Sequence, residues 1–385
     1  MGKVLLNIIT DRLSHLEGKG EMTSRYYNPG EVFDDVHILM TNGDTPNPQH
    51  LQKMAGNAKL HFHNIQTGKS LLLKSLFWRP ALLKEWASEG IELARKIKPD
   101  LIRCYGNYIN GYVASEIKRE LGIPYVVSLH THPDENRTNP SFGLKNFLYY
   151  HFTAAVENVT LENADEVVVI YRSLLPYVNR RKSASHKTIY NAVNPDKIRS
   201  KNDYSSTGPL RVLSVGRLIP GKNPEHLIKA AIAGNTELTI VGEGPLRAQL
   251  EEQANSLEGP GKVIFIPRMT NDELCEKTPD FDAFAIHCDY DGIPKTVLEA
   301  SLSGLPIIVN KLPKGQVPEY GDGWVTLVEN SVKGYSDALS SLMDQDKRHE
   351  LGTLAKEYSN THWNPTETEN KYAELYKKLM KSSAV

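Results

Sequence analysis

Two carboxylates and two cations, each pair set where a loop runs into a helix, are the residues of this 385-residue chain best placed to do chemistry. Asp291 and Glu299 bracket the run Asp291-Gly292-Ile293-Pro294-Lys295-Thr296-Val297-Leu298-Glu299. An apolar stretch, Phe281 to His287, precedes it, and another, Pro306 to Val309, follows it. The pattern reads as strand, turn, helix, strand. Pro294 suits the first helical position, where a missing N–H costs nothing and the ring already fixes a helical φ. The N–H groups of that first turn, from Ile293 to Thr296, are then free to hold an anion. With Asp291 before the helix and Glu299 inside it, one cluster can hold a phosphate, a sugar hydroxyl and a ribose.

The cations lie upstream. Arg211 to Val215 reads as a short buried strand, and Gly216 to Lys222 as a turn rich in Gly and Pro. Asn223 is a good N-cap, Pro224 fits the first helical position, and Leu227, Ile228 and Ala231 recur at helical spacing. Arg217 and Lys222 therefore sit at the carboxyl end of a strand beside a helix N-terminus, the crevice in which open α/β sheets bind ligands. Two fixed cations there suit a diphosphate. In the next segment, Glu237 to Leu250, a strand ends at Gly242, Glu243-Gly244 turns, and Pro245 opens a helix. Such a Gly pair lets backbone approach a ligand or a neighbouring loop closely. A further apolar run, Val263 to Ile266, leads to Pro267, Arg268 and Met269.

These residues need two sheets to position them. A chain of 385 residues accommodates two domains, each with a sizeable core. At 40% hydrophobic and 24% charged the composition is globular, and a net charge of −1 gives no footing for nucleic acid. Three scattered cysteines, Cys104, Cys275 and Cys288, make neither a zinc motif nor a disulfide framework, which fits a reducing cytoplasm. Apolar runs all fall short of the roughly 18 residues of a membrane span, and Lys3 to Thr10 reads as a first strand rather than a signal core. Strands are expected at Val4–Ile9, Val36–Met40, Leu60–Asn64, Leu101–Tyr105, Tyr125–Leu129, Glu166–Ile170 and Lys187–Tyr190, mostly with helices between, which is doubly wound α/β grammar. Residues 1–199 form this first domain. Ser200 to Pro209, polar and Gly/Ser-rich, reads as a linker, and 210–363 as a second α/β domain.

The motif set resembles that of retaining glycosyltransferases of family four (glycosyl transferases group 1), which have the GT-B architecture. The likeness is dense in 210–310 and thinner in the N-terminal half. It implies two Rossmann-like domains facing across a cleft, with a last helix, here 364–385, crossing back to the first domain near Trp363. It implies sugar transfer from a nucleoside diphosphate sugar, most commonly a UDP-sugar, to a hydroxyl of a saccharide, lipid-linked or small-molecule acceptor, as in cell-surface polysaccharide or glycoconjugate synthesis. Arg217 and Lys222 correspond to the diphosphate-binding pair, with Gly216 and Gly242 in the adjoining turns. Glu299 corresponds to the ribose ligand, Gly292 to Thr296 to the phosphate-facing turn, and Met269 to the residue whose backbone meets the base. Asp291 stands where the family usually has Glu, one methylene longer. His130 ends the apolar run Tyr125 to Leu129, where the family has a His near the donor sugar. Gly18, Lys19 and Gly20 occupy the place of a Gly-rich loop between donor phosphate and acceptor, and Ile189 to Asn194 resembles an Asn-Gly-Val-Asp segment with Ala192 for Gly.

In such enzymes a leaving phosphate oxygen takes the acceptor's proton, and two cations on the diphosphate make a metal unnecessary; no cofactor is expected. Asp289-Tyr290-Asp291 and Asp280-Phe281-Asp282 also match the short Asp-x-Asp metal pattern of unrelated transferases, and His132 and Asp134 have metal-like spacing. Lys69 to Trp86 mixes Leu, Phe and Trp with Lys and Arg; it reads as a helix packed on the first sheet, with peripheral attachment at the inner membrane face as the alternative. Arg180-Arg181-Lys182 adds a small basic cluster. An epimerase or phosphorylase on the same plan, and a non-catalytic nucleotide-sugar-binding subunit, stay open as alternatives.

Overall fold

The computed structural model of the protein describes residues 2–19, 22–67, 80–133, 156–181, 185–191, 193, 196–313 and 315–382. The chain divides into two compact units, residues 1–192 with 366–385, and residues 193–365. Each is built on one parallel sheet.

Among the described residues the first unit carries seven strands: β1 (Val4–Ile9), β2 (Asp35–Met40), β3 (Lys59–Asn64), β4 (Leu101–Tyr105), β5 (Tyr125–Leu129), β6 (Glu166–Val169) and β7 (His186–Thr188), in the order β3-β2-β1-β4-β5-β6-β7. The order reverses between β1 and β4, which makes a topological switch point. β1, β4 and β5 have the expected bounds because each is a short apolar run buried on both faces, as in a sheet covered by helices on each side. β7 is shorter and earlier than Lys187–Tyr190.

Helices α1 (Leu13–Lys19), α2 (Pro80–Ile97) and α3 (Ile109–Leu121) follow strands of this sheet. α2 buries Leu83, Ala87, Ile91 and Ala94 at three- and four-residue spacing, the apolar stripe of a packed helix. Thus Pro80, which interrupts the apolar pattern in the sequence, begins a helix instead. Residues 68–79 of the suspected interfacial stretch lie outside the described residues, and among those described no helix is long and apolar enough to cross a membrane.

The second unit has six strands: β8 (Leu210–Val215), β9 (Thr236–Val241), β10 (Lys262–Ile266), β11 (Ala283–Ile286), β12 (Ile307–Asn310) and β13 (Thr326–Val328), ordered β10-β9-β8-β11-β12-β13. Its switch point falls between β8 and β11, so the loops after these two strands are neighbours. Helices α4 (Glu225–Ala233), α5 (Arg247–Ser256), α6 (Asn271–Lys277) and α7 (Lys295–Ser303) follow β8, β9, β10 and β11. α8 (Gln345–His362) packs its Gly352 close to Gly304 at the end of α7.

The segment expected as a linker is bound to this second unit. Lys201 is buried, with its N–H on the Ser303 carbonyl and its Nζ on the Pro279 carbonyl. The Tyr204 hydroxyl donates to the Gly304 carbonyl, and Arg348 donates to the Tyr204 carbonyl. Ser/Gly composition gave a loop signal, but the two residues that anchor the segment are its Lys and its Tyr.

The last helix, α9 (Pro365–Ser382), belongs to the first unit. Its Tyr372, Leu375, Tyr376 and Leu379 join Leu5, Val36, Ile38 and Leu101 in one buried cluster. The Tyr376 hydroxyl lies 2.8 Å from Arg103 Nη1, and Glu369 pairs with Arg25 at 3.1 Å.

Candidate active site

In the second unit the loop after β8 is held by backbone rather than by side chains. Gly216 donates its N–H to the Val241 carbonyl, and Leu218 donates to the Glu243 carbonyl. A Cβ on Gly242 would lie 1.9 Å from the Gly216 oxygen, and one on Gly244, whose φ is +155°, would lie 2.2 Å from the Leu218 oxygen. No side chain fits either position. The Gly pair therefore serves the close approach of the β8 and β9 loops, and this fixes where Arg217 and Lys222 stand.

Arg217 is exposed and Lys222 half-buried. Neither makes an ion pair or side-chain hydrogen bond among the described residues; Lys222 Nζ lies 5.9 Å from the centre of the Tyr290 ring. A small crevice at the carboxyl ends of β8 and β11 is lined by Gly216, Lys222, Pro224, His287, Cys288 and Pro294, among others. The structure thus brings Gly216, Lys222 and Pro294 together. Arg217 stands on the same loop, outside the crevice lining.

The helix beside it begins one residue later than expected. Pro294 (φ −57°, ψ 140°) is the N-cap of α7 rather than its first helical residue, and Pro224 is likewise the cap of α4. Pro245 precedes α5 by two residues. In α4 the Asn223 side chain still caps, accepting the Glu225 N–H at 3.2 Å. Gly292 already donates its N–H to the Tyr290 carbonyl, and Val297 donates to the Pro294 carbonyl, so these two N–H groups of the turn are committed to the backbone. Thr296 also places its hydroxyl 3.5 Å from the Val215 carbonyl, tying α7 to the end of β8. Ile293 is buried, and Asp291 is half-buried.

Glu299 lies further along α7, 3% exposed. Its Oε1 accepts from Asn271 Nδ2 at 2.8 Å and faces Lys295 Nζ at 3.6 Å. Its Oε2 is buried without a partner. An unsatisfied buried carboxylate oxygen is costly, and a ligand hydroxyl would relieve it. Met269, half-buried, stands on the loop that leads through the Thr270–Glu273 capping box into α6, the helix that supplies Asn271.

A polar network not expected from sequence braces these loops. His287 Nδ1 accepts the Asn223 N–H at 2.9 Å, and its Nε2 lies 3.0 Å from the Asp289 carboxylate and 3.1 Å from Asn330 Nδ2. Asn310 Nδ2 reaches the same carboxylate at 3.2 Å, while its Oδ1 accepts the Cys288 N–H at 2.7 Å. Asp289 also donates its own N–H to the Gly221 carbonyl. Its carboxylate is therefore tied to loop structure. Asp282, of the other Asp-x-Asp match, is buried and accepts from Arg211. The one sequence signal for this network was His287, standing at the end of an apolar strand.

In the first unit His130 follows β5. Its ring stacks on Tyr105 at 5.3 Å, and its Nε2 is buried without a partner among the described residues. Burial, then the charge of Arg103, pushes its pKa down to about 3, so the imidazole is neutral at physiological pH. Arg103 is itself buried, bonded to Ser128 Oγ and the Tyr376 hydroxyl and faced by the Tyr105 and Tyr372 rings. A charged residue inside the otherwise apolar run Leu101–Tyr105 was its sequence signal. His132 packs edge-on against Tyr177, and Asp134 lies outside the described residues.

The Gly18-Lys19-Gly20 loop needs correction. Gly18 and Lys19 are the last residues of helix α1, and Gly20 lies outside the described residues. Leu13 is buried and Leu16 packs beside it on the core, so the helical apolar face carries the helix through Gly18. Arg181 bonds to Asn158 and Glu157, while Lys182, Ala192 and Asn194 are outside the described residues.

Comparison with known proteins agrees with this geometry. The model for Glycosyltransferase Family 4 matches residues 34–197, and that for Glycosyl transferases group 1 matches residues 196–358. An uncharacterised glycosyltransferase of Methanocaldococcus jannaschii is 26% identical over 258 residues, 62% of each chain. A GDP-mannose-dependent alpha-mannosyltransferase of Mycobacterium tuberculosis is 23% identical over 266 residues, 67% of this chain and 68% of that one. The match thus spans about three fifths of the first relative's length and two thirds of the second's. Sucrose-phosphate synthase from Thermosynechococcus elongatus has the same fold, with a TM-score of 0.72 at 17% identity over 99% of this chain and 100% of that one. A glycosyltransferase from Rickettsia africae gives 0.69 at 13% identity over 98% and 99%. The fold is the two-domain α/β GT-B fold and, with the two family models together spanning residues 34–358, the chain belongs to the group 1 glycosyltransferases.

Proposed function

We propose that the protein transfers a sugar from a nucleoside diphosphate sugar to a hydroxyl of a saccharide, lipid-linked or small-molecule acceptor, with retention at the anomeric carbon and without a metal ion. The observation that carries this reading is the pair Arg217 and Lys222, two cations without a carboxylate partner among the described residues, on a loop locked in place by backbone contacts. Two such charges beside the α7 N-terminus suit a departing diphosphate, whose charge grows in the transition state. Donors aimed at such charge typically contribute about 10²–10³ in rate each. The N-terminal end of α7 adds to the same field.

Glu299 takes the ribose hydroxyls through its unpartnered Oε2. Asp291 holds sugar hydroxyls and fixes the donor pose, and the Met269 backbone meets the base. His130 acts as a neutral hydrogen-bonding group toward the sugar, through its unpartnered Nε2. The acceptor's proton passes to the leaving phosphate oxygen as the bond to the anomeric carbon forms and the bond to the phosphate breaks.

A UDP-sugar is the expected donor. Relatives named for GDP-mannose make guanosine the second candidate. A relative named alpha-monoglucosyldiacylglycerol synthase, 25% identical over 59% of this chain, supports a lipid-linked acceptor and a place in glycoconjugate or cell-surface polysaccharide synthesis.

The test is nucleoside diphosphate release from a panel of UDP-, GDP-, ADP- and dTDP-sugars, with Lys222→Ala as control, followed by the anomeric configuration of the product by NMR. One donor turned over, lost in Lys222→Ala and giving a retained product, supports the proposal. Turnover undiminished in Lys222→Ala would refute the diphosphate assignment. An inverted product would refute retention. An isomerised sugar nucleotide formed without acceptor would replace the transferase by an epimerase.

A further inference from the structure

Four polar side chains share one face at the open edge of the first sheet. In the parallel pair β2–β3, His37 is in register with His61, and Leu39 with His63. Paired residues of parallel strands point to the same side, and the side-chain period of two adds Asp35 to that side. Val36, Ile38 and Met40, with Leu60 and Phe62, take the opposite face and pack into the core. The His37 ring stacks on His61 at 4.4 Å and on His63 at 5.1 Å. His61 Nε2 lies 3.2 Å from Asp35 Oδ1, and His37 Nδ1 lies 2.9 Å from His63 Nε2.

Three imidazoles in contact repel one another when charged, which favours the neutral rings. Their neutral form is the one that ligates metals. Asp35, His37 and His61 each offer one ligand atom, and these atoms all lie within 4.8 Å of one another. Among the described residues this is the one cluster with that property. Ligands at about 2.0–2.2 Å in a tetrahedron are roughly 3.3 Å apart. The His61–Asp35 pair already has that spacing. Both side chains are partly exposed, at 41% and 29%, so they can close on His37 by rotation.

We propose that Asp35, His37 and His61 bind one divalent ion of the zinc class, with water in the remaining position and His63 orienting His37. The ion takes the place of the proton shared by His61 and Asp35 and is held on His37 through Nε2, while Nδ1 keeps its bond to His63. Two imidazoles and one carboxylate are a ligand set that zinc accepts, and a ring nitrogen fixed from outside the ligand set is the usual device for orienting such a histidine. Among the described residues β3 is an edge strand, paired with β2 alone. The ion would clip it to β2. The side chains stand on a face of the sheet rather than at the carboxyl ends of its strands, so this is a structural site, separate from sugar transfer.

The experiment uses the full-length protein, stripped with chelator and dialysed, then titrated with Zn²⁺ against a chromophoric indicator. Co²⁺ serves as spectroscopic probe and thermal unfolding as a second readout. The expected result is one Zn²⁺ per chain with an affinity of about 1 µM or tighter, a visible Co²⁺ absorption of a low-coordinate site, and a raised Tm with Zn²⁺. His61→Asn and Asp35→Asn, both at partly exposed side chains, should each abolish the Co²⁺ absorption, and His63→Asn should weaken binding about 10- to 100-fold. His50→Asn, at the separate His50–Glu17 pair, should leave it unchanged. Absence of saturable uptake by the wild-type protein, or uptake undiminished in both His61→Asn and Asp35→Asn, overturns the proposal.

Discussion

Glu299→Gln separates a ligand-binding carboxylate from a structural one. Oε1 has Asn271 and Lys295, whereas Oε2 is buried with no partner among the described residues. Replacing Oε2 by an amide removes a buried charge while the remaining oxygen keeps the Asn271 bond. The free protein should therefore lose little or gain slightly in Tm, since the carboxylate's desolvation is relieved and only a 3.6 Å contact to a partly exposed Lys295 is given up. Donor binding moves the other way. Hydrogen bonds to a charged group contribute about 1.5–3 kcal/mol, so losing them should weaken nucleoside diphosphate binding roughly 10- to 150-fold. Calorimetric titration of UDP and GDP into wild type and Glu299→Gln, with thermal scans of both free proteins, measures the two effects. Wild-type affinity in the variant would refute the ribose role. A Tm loss corresponding to more than about 2 kcal/mol would show that Glu299 holds the fold rather than the ligand.

Other variants test other parts. Gly242→Ala places a Cβ 1.9 Å from the Gly216 oxygen and should cost about 1–3 kcal/mol, with weakened donor binding because the Arg217–Lys222 loop must move; denaturant titration and calorimetry together check this. Lys222→Ala removes a side chain with no ion pair, so turnover should fall about 10²–10³-fold at unchanged Tm. Tyr376→Phe strands a buried Arg103 N–H and should cost about 1–3 kcal/mol in urea unfolding; an unchanged midpoint would mean that Arg103 finds another partner. His130 has a folded pKa near 3 against an ordinary 6.5, so the unfolded chain binds the extra proton first. The stability it costs appears as pH falls below 6.5 and is complete below about 3. His130→Asn should flatten the loss of Tm across that window.

What the sequence made legible follows the length scale of the signal. β1, β4 and β5 are apolar runs whose character is local, and their bounds could be read directly. Helix starts were misplaced by one or two residues at Pro224, Pro245 and Pro294, because a proline serves equally as cap or first residue and only the backbone decides. Gly18-Lys19 stood in the place of the family's Gly-rich loop, yet Leu13 and Leu16 carry the helix across it. The cations of the β8 loop and the carboxylate of α7 were visible as spaced motifs. The His287–Asp289–Asn310–Asn223 network was not, since its members are scattered between positions 223 and 310 and meet only because β8, β11 and β12 are adjacent. The histidines of β2 and β3 are 24 positions apart in register, and no reading of either strand alone aligns them.

The last helix gives the protein an order of assembly. Tyr372, Leu375, Tyr376 and Leu379 complete the core of the first unit, and Tyr376 satisfies its buried arginine. A ribosome must make the whole second unit before these residues exist. At roughly 5–20 residues per second, the first unit waits on the order of ten seconds or more with part of its apolar core open and Arg103 short of a partner. During that interval the half-made chain is the form most exposed to chaperones and to aggregation, and a release of synthesis between the end of the second unit and Tyr372 leaves that unit complete and the first without its last helix.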